Sequence, residues 1–401
     1  MPSSPYVADP SEPLPPHLDP RGRHRGHGPR WHTYKLVGGT ALALLSVALL
    51  ILAGYEWYTF RDINKGVTRL DVPVGQAPAG KDDFDGTDQN ILLVGNDDRS
   101  NMTDAEVRKL KVGRDGGSKS TDSMMLLHVP ADGSKATLIS LPRDAYVNVP
   151  GYGMDKLNAA YVYGYNNARG TADQRRTAGA SLLIQTVSKL TGLTIDHYVQ
   201  VSLLGFYDIS NAIGGIPINL CHSVNDTVAY NRSIGSDGGS GFKMSAGKHT
   251  IKGVQALEFV RQRHNLPRGD LDRVRRQQYF LTAAFRKVAS YGILFKLKAL
   301  GDAIKRNVYL DRRLDLIDLA RQMENLSADN IIGKTIPFQR FATVDVGSVE
   351  IVNPHRVQRF VERVINGPTT GSKSTKSSTN GTTQKPSASS SPRPLDKHCI
   401  N

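Results

Sequence analysis

The sequence predicts an α/β fold: an α/β/α sandwich with a central mixed β-sheet covered by helices, behind one N-terminal transmembrane helix. Two observations predict it. Short apolar runs alternate with longer segments of helical periodicity between residues 89 and 366, a mixture typical of a sheet with helices on both faces. Ahead of them, residues 36–55 carry no charge.

The uncharged segment 36–55 is long enough to span a membrane, because an α-helix of that length crosses a hydrocarbon core of roughly 30 Å. A buried soluble helix rarely lacks a polar face over this length, and no A-x-A-like cleavage site closes the segment as in a signal peptide. Basic residues cluster before it, so we expect the N-terminus in the cytoplasm and everything after the segment outside. The protein is therefore predicted to be a single-pass protein of the cell membrane.

The rest of the chain divides by composition. Residues 1–35 are predicted to be a disordered, basic cytoplasmic segment, and residues 56–88 an extracytoplasmic spacer. Residues 89–366 have a globular pattern, and residues 367–401 form a low-complexity, Ser/Thr-rich tail. The two cysteines, Cys221 and Cys399, are too few for a disulfide scaffold or a metal site. An extracytoplasmic location permits one disulfide between them, but two separate thiols are equally compatible with the sequence.

The elements follow from hydrophobic periodicity. Strands are predicted at Ile91–Val94, Met124–Val129, Ala136–Ser140, His197–Val201, Ile216–Leu220 and Ile331–Ile336. Helices are predicted at Leu157–Ala168, Ala178–Leu190, Leu203–Ile213, Asp270–Ser290, Leu294–Lys305, Leu314–Asn325 and Pro354–Ile365.

The formal net charge is +14, and six arginines fall between Arg261 and Arg276. A basic balance over a whole chain indicates little beyond solubility or weak attraction to polyanions, whereas a dense local cluster suggests an anionic ligand. If the predicted topology is right, this cluster lies outside the cytoplasm and meets no nucleic acid.

Acidic residues stand next to three predicted strands. Asp97, Asp98 and Arg99 follow the first strand, where they suit a metal or phosphate site or an ordinary Asp-rich turn. Asp122 precedes the second strand and could also cap it. Arg143 follows the third, where a local ion pair with the next aspartate is the alternative.

The segment 256–278 is the most informative one. If Phe259–Arg263 is extended, Arg261 and Arg263 share one face; if Asp270 opens a helix, Arg273 and Gln277 share one face as well, flanked by Arg276. Guanidinium groups bind phosphate oxygens bidentately and stay charged. The alternative is a solvated basic helix with Asp270 as its N-cap.

Taken together, these segments resemble the LytR-CpsA-Psr family over nearly all of residues 90–290. The resemblance rests on six segments in order behind the predicted anchor: ILLVGNDDR, STDSMMLLHV, ISLPRD, KLNAAYVYG, IDHYVQVSLLGFYDISNAIGGIPINL and AGKHTIKGVQALEFVRQRHNLPRGDLDRVRRQQ. It implies an extracytoplasmic domain that binds polyprenyl pyrophosphate in an apolar tunnel. The implied activity is a phosphotransferase that moves a phosphate-linked glycopolymer, teichoic-acid-like or another wall polymer, to peptidoglycan.

The resemblance also implies site residues. Mg²⁺ (or Mn²⁺) would be held by acids that match Asp97 and Asp122. The implied catalytic residues are Arg143, Arg261, Arg263, Asp270, Arg273 and Gln277, and we add Arg99 and Arg276 as pyrophosphate-binding residues. Asp270 could align Arg273 or accept the proton of the attacking hydroxyl. We favour alignment, since a carboxylate among arginines should have a low pKa.

One position departs from the family pattern: Ser120 stands where the family usually has an arginine, and Lys119 should point to the other face. Asn211 also stands near the position of a frequent family acid. The sequence leaves two other functions open, a polyprenyl-pyrophosphate phosphatase and a non-catalytic wall-polymer binding protein or transcriptional attenuator. Helices Ala178–Leu190 and Leu203–Ile213 are apolar enough to line a lipid tunnel, but ordinary core packing explains them equally well.

Overall fold

A mixed seven-stranded sheet forms the centre of the fold in the computed structural model. The structure describes residues 46, 54, 58–59, 61–75, 87–99, 102–110, 112, 119–227, 239–288, 297–323, 326, 330–366 and 399–400. Within these ranges, no helix is long and apolar enough to cross a membrane. The predicted cytoplasmic segment 1–35 and almost all of the predicted spanning segment 36–55 lie outside the described residues. The chain divides into two units, Met1–Tyr58 and Thr59–Asn401, and the central sheet belongs to the second.

The described strands and helices are numbered in chain order. The strands are β1 (Thr68–Leu70), β2 (Gln89–Asn96), β3 (Thr121–Val129), β4 (Ala136–Leu141), β5 (Ala145–Val149), β6 (Gly153–Lys156), β7 (His197–Ser202), β8 (Ile216–Leu220), β9 (Val224–Asn225), β10 (Lys243–Met244), β11 (Gly247–Ile251), β12 (Val308–Asp311), β13 (Ile331–Thr335), β14 (Arg340–Val344) and β15 (Gly347–Ile351). The helices are α1 (Asp104–Lys109), α2 (Ala159–Asn167), α3 (Ala172–Thr191), α4 (Leu203–Ala212), α5 (Gly253–Arg261), α6 (Asp270–Val288), α7 (Leu297–Asn307), α8 (Leu316–Gln322) and α9 (Pro354–Asn366).

The central sheet has the order β1-β12-β7-β2-β3-β4-β13. Its pairings are mixed: β2 runs parallel to β7 but antiparallel to β3, and β3 runs antiparallel to β4. Strand β1 lies within the predicted spacer 56–88, yet it pairs in parallel with β12. The folded domain therefore begins before residue 89.

Helices cover both faces of this sheet, as the sequence predicts. On one face, sheet residues such as Leu92 and Leu126 pack with Leu183 of α3 and Val357 of α9. On the other face, Met125 and its neighbours pack with apolar residues of α6 and α8. Burial on both sides explains why β2 to β4 read as nearly continuous apolar runs rather than as alternating patterns.

The predicted elements are present, with ends that differ by a few residues. The largest difference is at α3, which begins at Ala172 instead of Ala178. Thr171 and Gln174 form a capping box at its start, so the polar first turns belong to the helix although they carry no apolar stripe.

A second, four-stranded sheet of order β14-β15-β5-β6 was not predicted. Its strand β5 follows β4 directly in the chain. Strand β15 pairs in parallel with β5, and Glu350 lies opposite Ala145.

Cys221 and Cys399 form a disulfide with a Cα–Cα distance of 4.8 Å. Ile400 adds a parallel bridge to Leu220 at the end of β8. The sequence left open whether the two cysteines pair or stay separate thiols. In the structure they pair, with residues 399–400 beside the end of β8.

Candidate phosphate-binding site

Three strand ends that carry the predicted site residues meet at one edge of the central sheet. Strands β2 and β4 end at this edge and the antiparallel β3 begins there. Asp97, Asp122 and Arg143 therefore stand at neighbouring strand ends, the usual place for a ligand in an α/β sheet.

A β-bulge directs one of these acids. The register of β2 against β3 steps from Gly95–Ser123 to Asn96–Thr121, so Asp122 is left without a partner across the strands. A bulge re-aims the side chain of the extra residue. The side chain of Asp122 is 43% exposed. A Cβ at position 95 would lie 2.3 Å from Ser123 Oγ, so glycine permits the close approach of the two strands beside the bulge.

Both predicted metal-binding acids are paired with arginines. Arg99 forks onto Asp97, with Nε 2.8 Å from Oδ1 and the second nitrogen 2.6 Å from Oδ2. A terminal nitrogen of Arg143 donates to Asp122 Oδ1 at 2.7 Å, and its Nε lies 3.3 Å from Asp144. Each acid–arginine pair presents one carboxylate and one guanidinium group at the same edge.

The charge of Arg143 is secured by its neighbours. Burial by itself would lower the pKa of its guanidinium group, but the carboxylates of Asp122 and Asp144 outweigh that effect, and the pKa is raised. Lys156 of β6 approaches the same turn, with Nζ 3.2 Å from Asp144 Oδ1. The sequence had not singled out this lysine.

The segment Phe259–Arg263 is not extended, which was the condition for Arg261 and Arg263 to share one face. Its first three residues end helix α5, which buries Ala256, Phe259 and Val260 at a spacing of three and four residues. Arg261 is the last residue of the helix, so the period-two argument for a shared face does not apply.

Arg261 nevertheless lies close enough to Asp97 and Asp122 for their charges to act on it, and Arg263 acts on both Arg261 and Arg273. Arg261 is exposed, but the groups around it still remove enough water to lower its pKa. The positive charges of Arg99 and Arg263 lower this pKa further, and the negative charges of Asp97 and Asp122 raise it. The end of α5 and the turn after it therefore place positive charge at the sheet edge. The sequence predicted this charge too, but from an extended segment rather than from a helix end.

Helix α6 contributes Arg273 and Asp270 from its first turn. Arg273 is 4% exposed and donates to Asp270 Oδ2 at 2.9 Å. Burial lowers its pKa, Asp270 opposes this effect, and the charges of Arg263 and Arg143 lower the pKa further. The contact fits the aligning role that we favour for Asp270, which stays a prediction.

Arg276, which we added to the pyrophosphate ligands on the basis of the sequence, lies in the protein interior. Its side chain is 0% exposed, donates to Phe259 O at 3.4 Å and to Gln262 Oε1, and stacks on the rings of Phe242 and Phe259. Burial lowers its pKa to about 10, with Asp272 opposing. Arg276 joins α5 to α6, and this position favours a structural role over phosphate binding.

The neighbours of Arg276 follow the predicted helical face. Gln277 is half-buried, and its amide donates to Val260 O at 3.4 Å, which places it beside the end of α5. Arg275 is exposed and points away, as expected.

Lys119 does not replace the family arginine. Its Nζ bonds Asp98, whose other oxygen accepts from Arg176 at 3.1 Å. Ser120 Oγ accepts a hydrogen bond from Asn158 at 3.2 Å. Lys119 is thus engaged by Asp98, which also pairs with the buried Arg176.

Sequence reasoning missed Glu350. It lies in β15, is 4% exposed and has a pKa raised to about 7 by burial; Asp270 and Asp144 add to this shift and Arg273 opposes it. One signal was present: a single acid stands in the otherwise apolar run VEIV, which is unusual for a buried strand.

The donor set is compatible with Mg²⁺. Asp97 and Asp122 both lie near enough to Arg261 to raise its pKa. Mg²⁺ is commonly held by one or two carboxylates together with water and substrate phosphates. Within the described part of the chain, no group of three or more His, Cys, Asp or Glu side chains could hold a metal without such a ligand.

Helix α3, which could line a lipid tunnel or belong to the core, packs in the core. Helix α3 buries Leu183, Ile184 and Val187 in the main core. A surface depression of about 390 Å³ lies beside Ile184 and Leu193, and its lining includes none of the predicted site residues.

The chain is similar to known proteins in sequence and in fold. The model of the LytR_cpsA_psr family matches residues 73–364. The chain is 35% identical over 350 residues to the cell wall biosynthesis protein LcpA of Corynebacterium glutamicum, covering 81% of this chain and 65% of that protein. It is 34% identical over 226 residues to the polyisoprenyl-teichoic acid–peptidoglycan teichoic acid transferase TagU of Oceanobacillus iheyensis, covering 56% of this chain and 59% of TagU. The chain thus spans less than two thirds of the length of either relative.

A solved structure has the same fold. The structure of TagT bound to LIIa-WTA matches with a TM-score of 0.54 at 22% identity, covering 74% of this chain and 98% of TagT. Since the family model covers most of the domain and all six segments that carried the resemblance, the chain belongs to the LytR_cpsA_psr family.

Proposed function

We propose that this protein is a phosphotransferase that moves a phosphate-linked wall glycopolymer from polyprenyl pyrophosphate to peptidoglycan. The observation that carries the proposal is the convergence of Arg143, Arg261, Arg263 and Arg273 with Asp97 and Asp122 at one sheet edge. The names of LcpA and TagU, a cell wall biosynthesis protein and a teichoic acid transferase, support it.

The chemistry asks for charge neutralisation and positioning more than for a covalent catalyst. An acceptor hydroxyl oxygen forms a bond to the glycan-side phosphorus, the P–O bond to the bridging oxygen breaks, and polyprenyl phosphate leaves with that oxygen. The hydroxyl proton is released to solvent. Fixed arginines at this point stabilise the charge that develops on the phosphate oxygens.

Individual residues have distinct tasks in this scheme. Arg143 and Arg273 are held in place by Asp122 and Asp270, so they bind and orient the phosphates with little reorganisation. Arg261, which is exposed at the end of α5, is available to bind the same phosphates. Asp97 and Asp122 would hold Mg²⁺ (or Mn²⁺), which when bound supplies further neutralisation of pyrophosphate charge.

The proposed setting is the outer face of the cytoplasmic membrane, with residues 36–55 as the anchor. The disulfide between Cys221 and Cys399 supports an extracytoplasmic domain, since such bonds persist in oxidising compartments. The proposed partners are the lipid-linked glycopolymer, peptidoglycan and the membrane, without nucleic acid.

The test is product analysis with the full-length protein in nanodiscs. Polyprenyl-pyrophosphate-linked glycopolymer is supplied with Mg²⁺, with and without peptidoglycan oligosaccharide, and the wild type is run beside Arg273→Ala. Arg275→Ala is the matched control, because Arg275 lies on the same helix but is exposed and turned away. We expect glycan joined to the oligosaccharide, with turnover reduced by at least about 100-fold in Arg273→Ala and unchanged in Arg275→Ala.

The alternatives give different products. Release of lipid phosphate without joined glycan would favour a pyrophosphatase. Tight polymer binding without any release would indicate a binding protein, and a fully active Arg273→Ala protein would overturn the assignment of the site.

A further inference from the structure

Glu350 is a buried acid directly behind the proposed phosphate site. It lies in β15, and its backbone N–H donates to Asp144 O at 2.8 Å, in the turn that also carries Arg143. Its side chain is 4% exposed. The strand therefore fixes a carboxyl group next to the arginine cluster without opening it to bulk solvent.

The charged groups that act on Glu350 come from two neighbouring segments. Asp144 belongs to the turn after β4, and Asp270 and Arg273 belong to the first turn of α6. On the other side, β14 places the uncharged Phe341 opposite Glu350. Glu350 thus faces two carboxylates and one arginine.

Two buried polar atoms in this neighbourhood lack a hydrogen-bond partner among the described residues, Glu350 Oε2 and Arg273 Nε. Buried polar atoms without a partner are rare, and each requires an explanation. Here one is an acceptor and the other a donor. The arrangement fits an acid that is neutral when Arg273 is directed toward Asp270, and that would attract Arg273 when ionised.

We propose that Glu350 is a positioning residue that leaves Arg273 available to the pyrophosphate only when its own carboxyl group is protonated, so that pyrophosphate binding takes up a proton. The inference rests on the proposed function, since it concerns the same phosphate site. Ionised, Glu350 adds a third carboxylate beside Asp144 and Asp270, competes for Arg273 and repels the anionic ligand.

The pKa of Glu350 supports this role, because burial raises it to about 7. A bound anion opposes ionisation further and raises this pKa again. Pyrophosphate binding should therefore be strongest below pH 7 and weaken as the pH rises through this value.

The experiment measures binding of P1,P2-dimethyl pyrophosphate to the full-length protein by calorimetry, with Mg²⁺, at about pH 6 and about pH 8.5. This diester is fully ionised over the whole range, as is a lipid–sugar pyrophosphate, so it contributes no titration of its own. Buffers of different ionisation heat report the protons taken up.

We expect the wild type to bind about tenfold more weakly at the higher pH and to take up a proton between these values. Glu350→Gln, which imitates the neutral acid, should bind equally at both. Glu362→Gln, an exposed change on α9, should keep the wild-type profile.

Wild-type affinity that does not depend on pH, or a Glu350→Gln protein that keeps the wild-type dependence, overturns the role of Glu350 while leaving the phosphate site intact. Absence of binding at any pH overturns both proposals. If binding shows the expected dependence but the transfer assay yields no product, only the transferase proposal fails. Proton uptake is measured on the wild type alone, so the test does not depend on whether Glu350→Gln folds. A wild type that binds pyrophosphate without taking up a proton contradicts the proposal.

Discussion

At the scale of single residues, the arginine cluster separates into ligands and structural members. Arg273 and Arg276 stand one helical turn apart on α6 and are both buried. Arg273 donates to a carboxylate at the site, whereas Arg276 donates to the carbonyl oxygen of Phe259 in α5 and to the side-chain oxygen of Gln262 just after it. Glu350, by contrast, was not predicted from the sequence, yet it lies beside the site. Their charge and their spacing in the sequence do not distinguish the two arginines. Their roles differ because different groups face them in the folded protein.

One prediction at this scale concerns stability and pH. The ordinary pKa of a glutamate is 4.5 and that of Glu350 in the folded protein is about 7, so the folded chain binds this proton more tightly. Its stabilising contribution is complete below about pH 4.5 and is lost as the pH rises to about 7.

Glu350→Gln should therefore gain about 2 kcal/mol in unfolding free energy relative to the wild type between about pH 5 and pH 8. Urea unfolding at several pH values measures this difference. Glu362→Gln should run parallel to the wild type, and the same parallel course for Glu350→Gln would contradict the raised pKa.

At the scale of elements, the site is formed by the β-bulge between β2 and β3 and by the two consecutive helices α5 and α6. The bulge at Asp122 turns one acid out of the β2–β3 ladder, and the packing of α5 on α6 brings Arg261 and Arg273 to the same edge. Arg276 stabilises that packing by filling the space between Phe242 and Phe259.

We expect Arg276→Ala to lower the unfolding free energy by about 2–4 kcal/mol, because it leaves a cavity and removes the partner of the buried Gln262. Arg275→Ala, the exposed neighbour, should change it by less than about 0.5 kcal/mol. Chemical denaturation of the two variants makes the comparison. Equal, small effects would show that Arg276 has no structural role and would reopen its assignment to the phosphates.

At the scale of the whole molecule, two sheets and a disulfide hold the site. The central sheet supplies the edge at Asp97 and Asp122, and the smaller sheet places Lys156 and Glu350 next to it. The disulfide joins cysteines that are 178 residues apart, so it closes a loop that includes α5 and α6.

Cys399→Ser should destabilise the protein by about 2–4 kcal/mol, mainly because the unfolded chain gains conformational freedom. Thermal unfolding of the wild type and the variant, each with and without a reductant, measures the effect. The reductant should lower the stability of the wild type to that of Cys399→Ser and leave the variant unchanged. A wild type that does not respond to reductant, with no linked peptide in non-reduced mass spectrometry, would show that the disulfide does not form.

The sequence by itself determined the fold class and most elements, and it predicted residues of the candidate site. Apolar periodicity reports which face of an element is buried, and the acids and arginines stand at fixed positions relative to strand ends. Asp97, Asp122, Arg143 and Arg273 could therefore be named in advance.

Only the tertiary structure decided the rest. The segment Phe259–Arg263 taken alone does not tell whether it is extended or helical, and the burial of Phe259 and Val260 together with Ala256 decides for a helix that ends at Arg261. Whether Arg276 faces a ligand or the core, and whether Cys221 meets Cys399, depends on contacts between segments that are far apart in the chain. The raised pKa of Glu350 likewise requires burial beside Asp270 and Asp144, which no local pattern can specify.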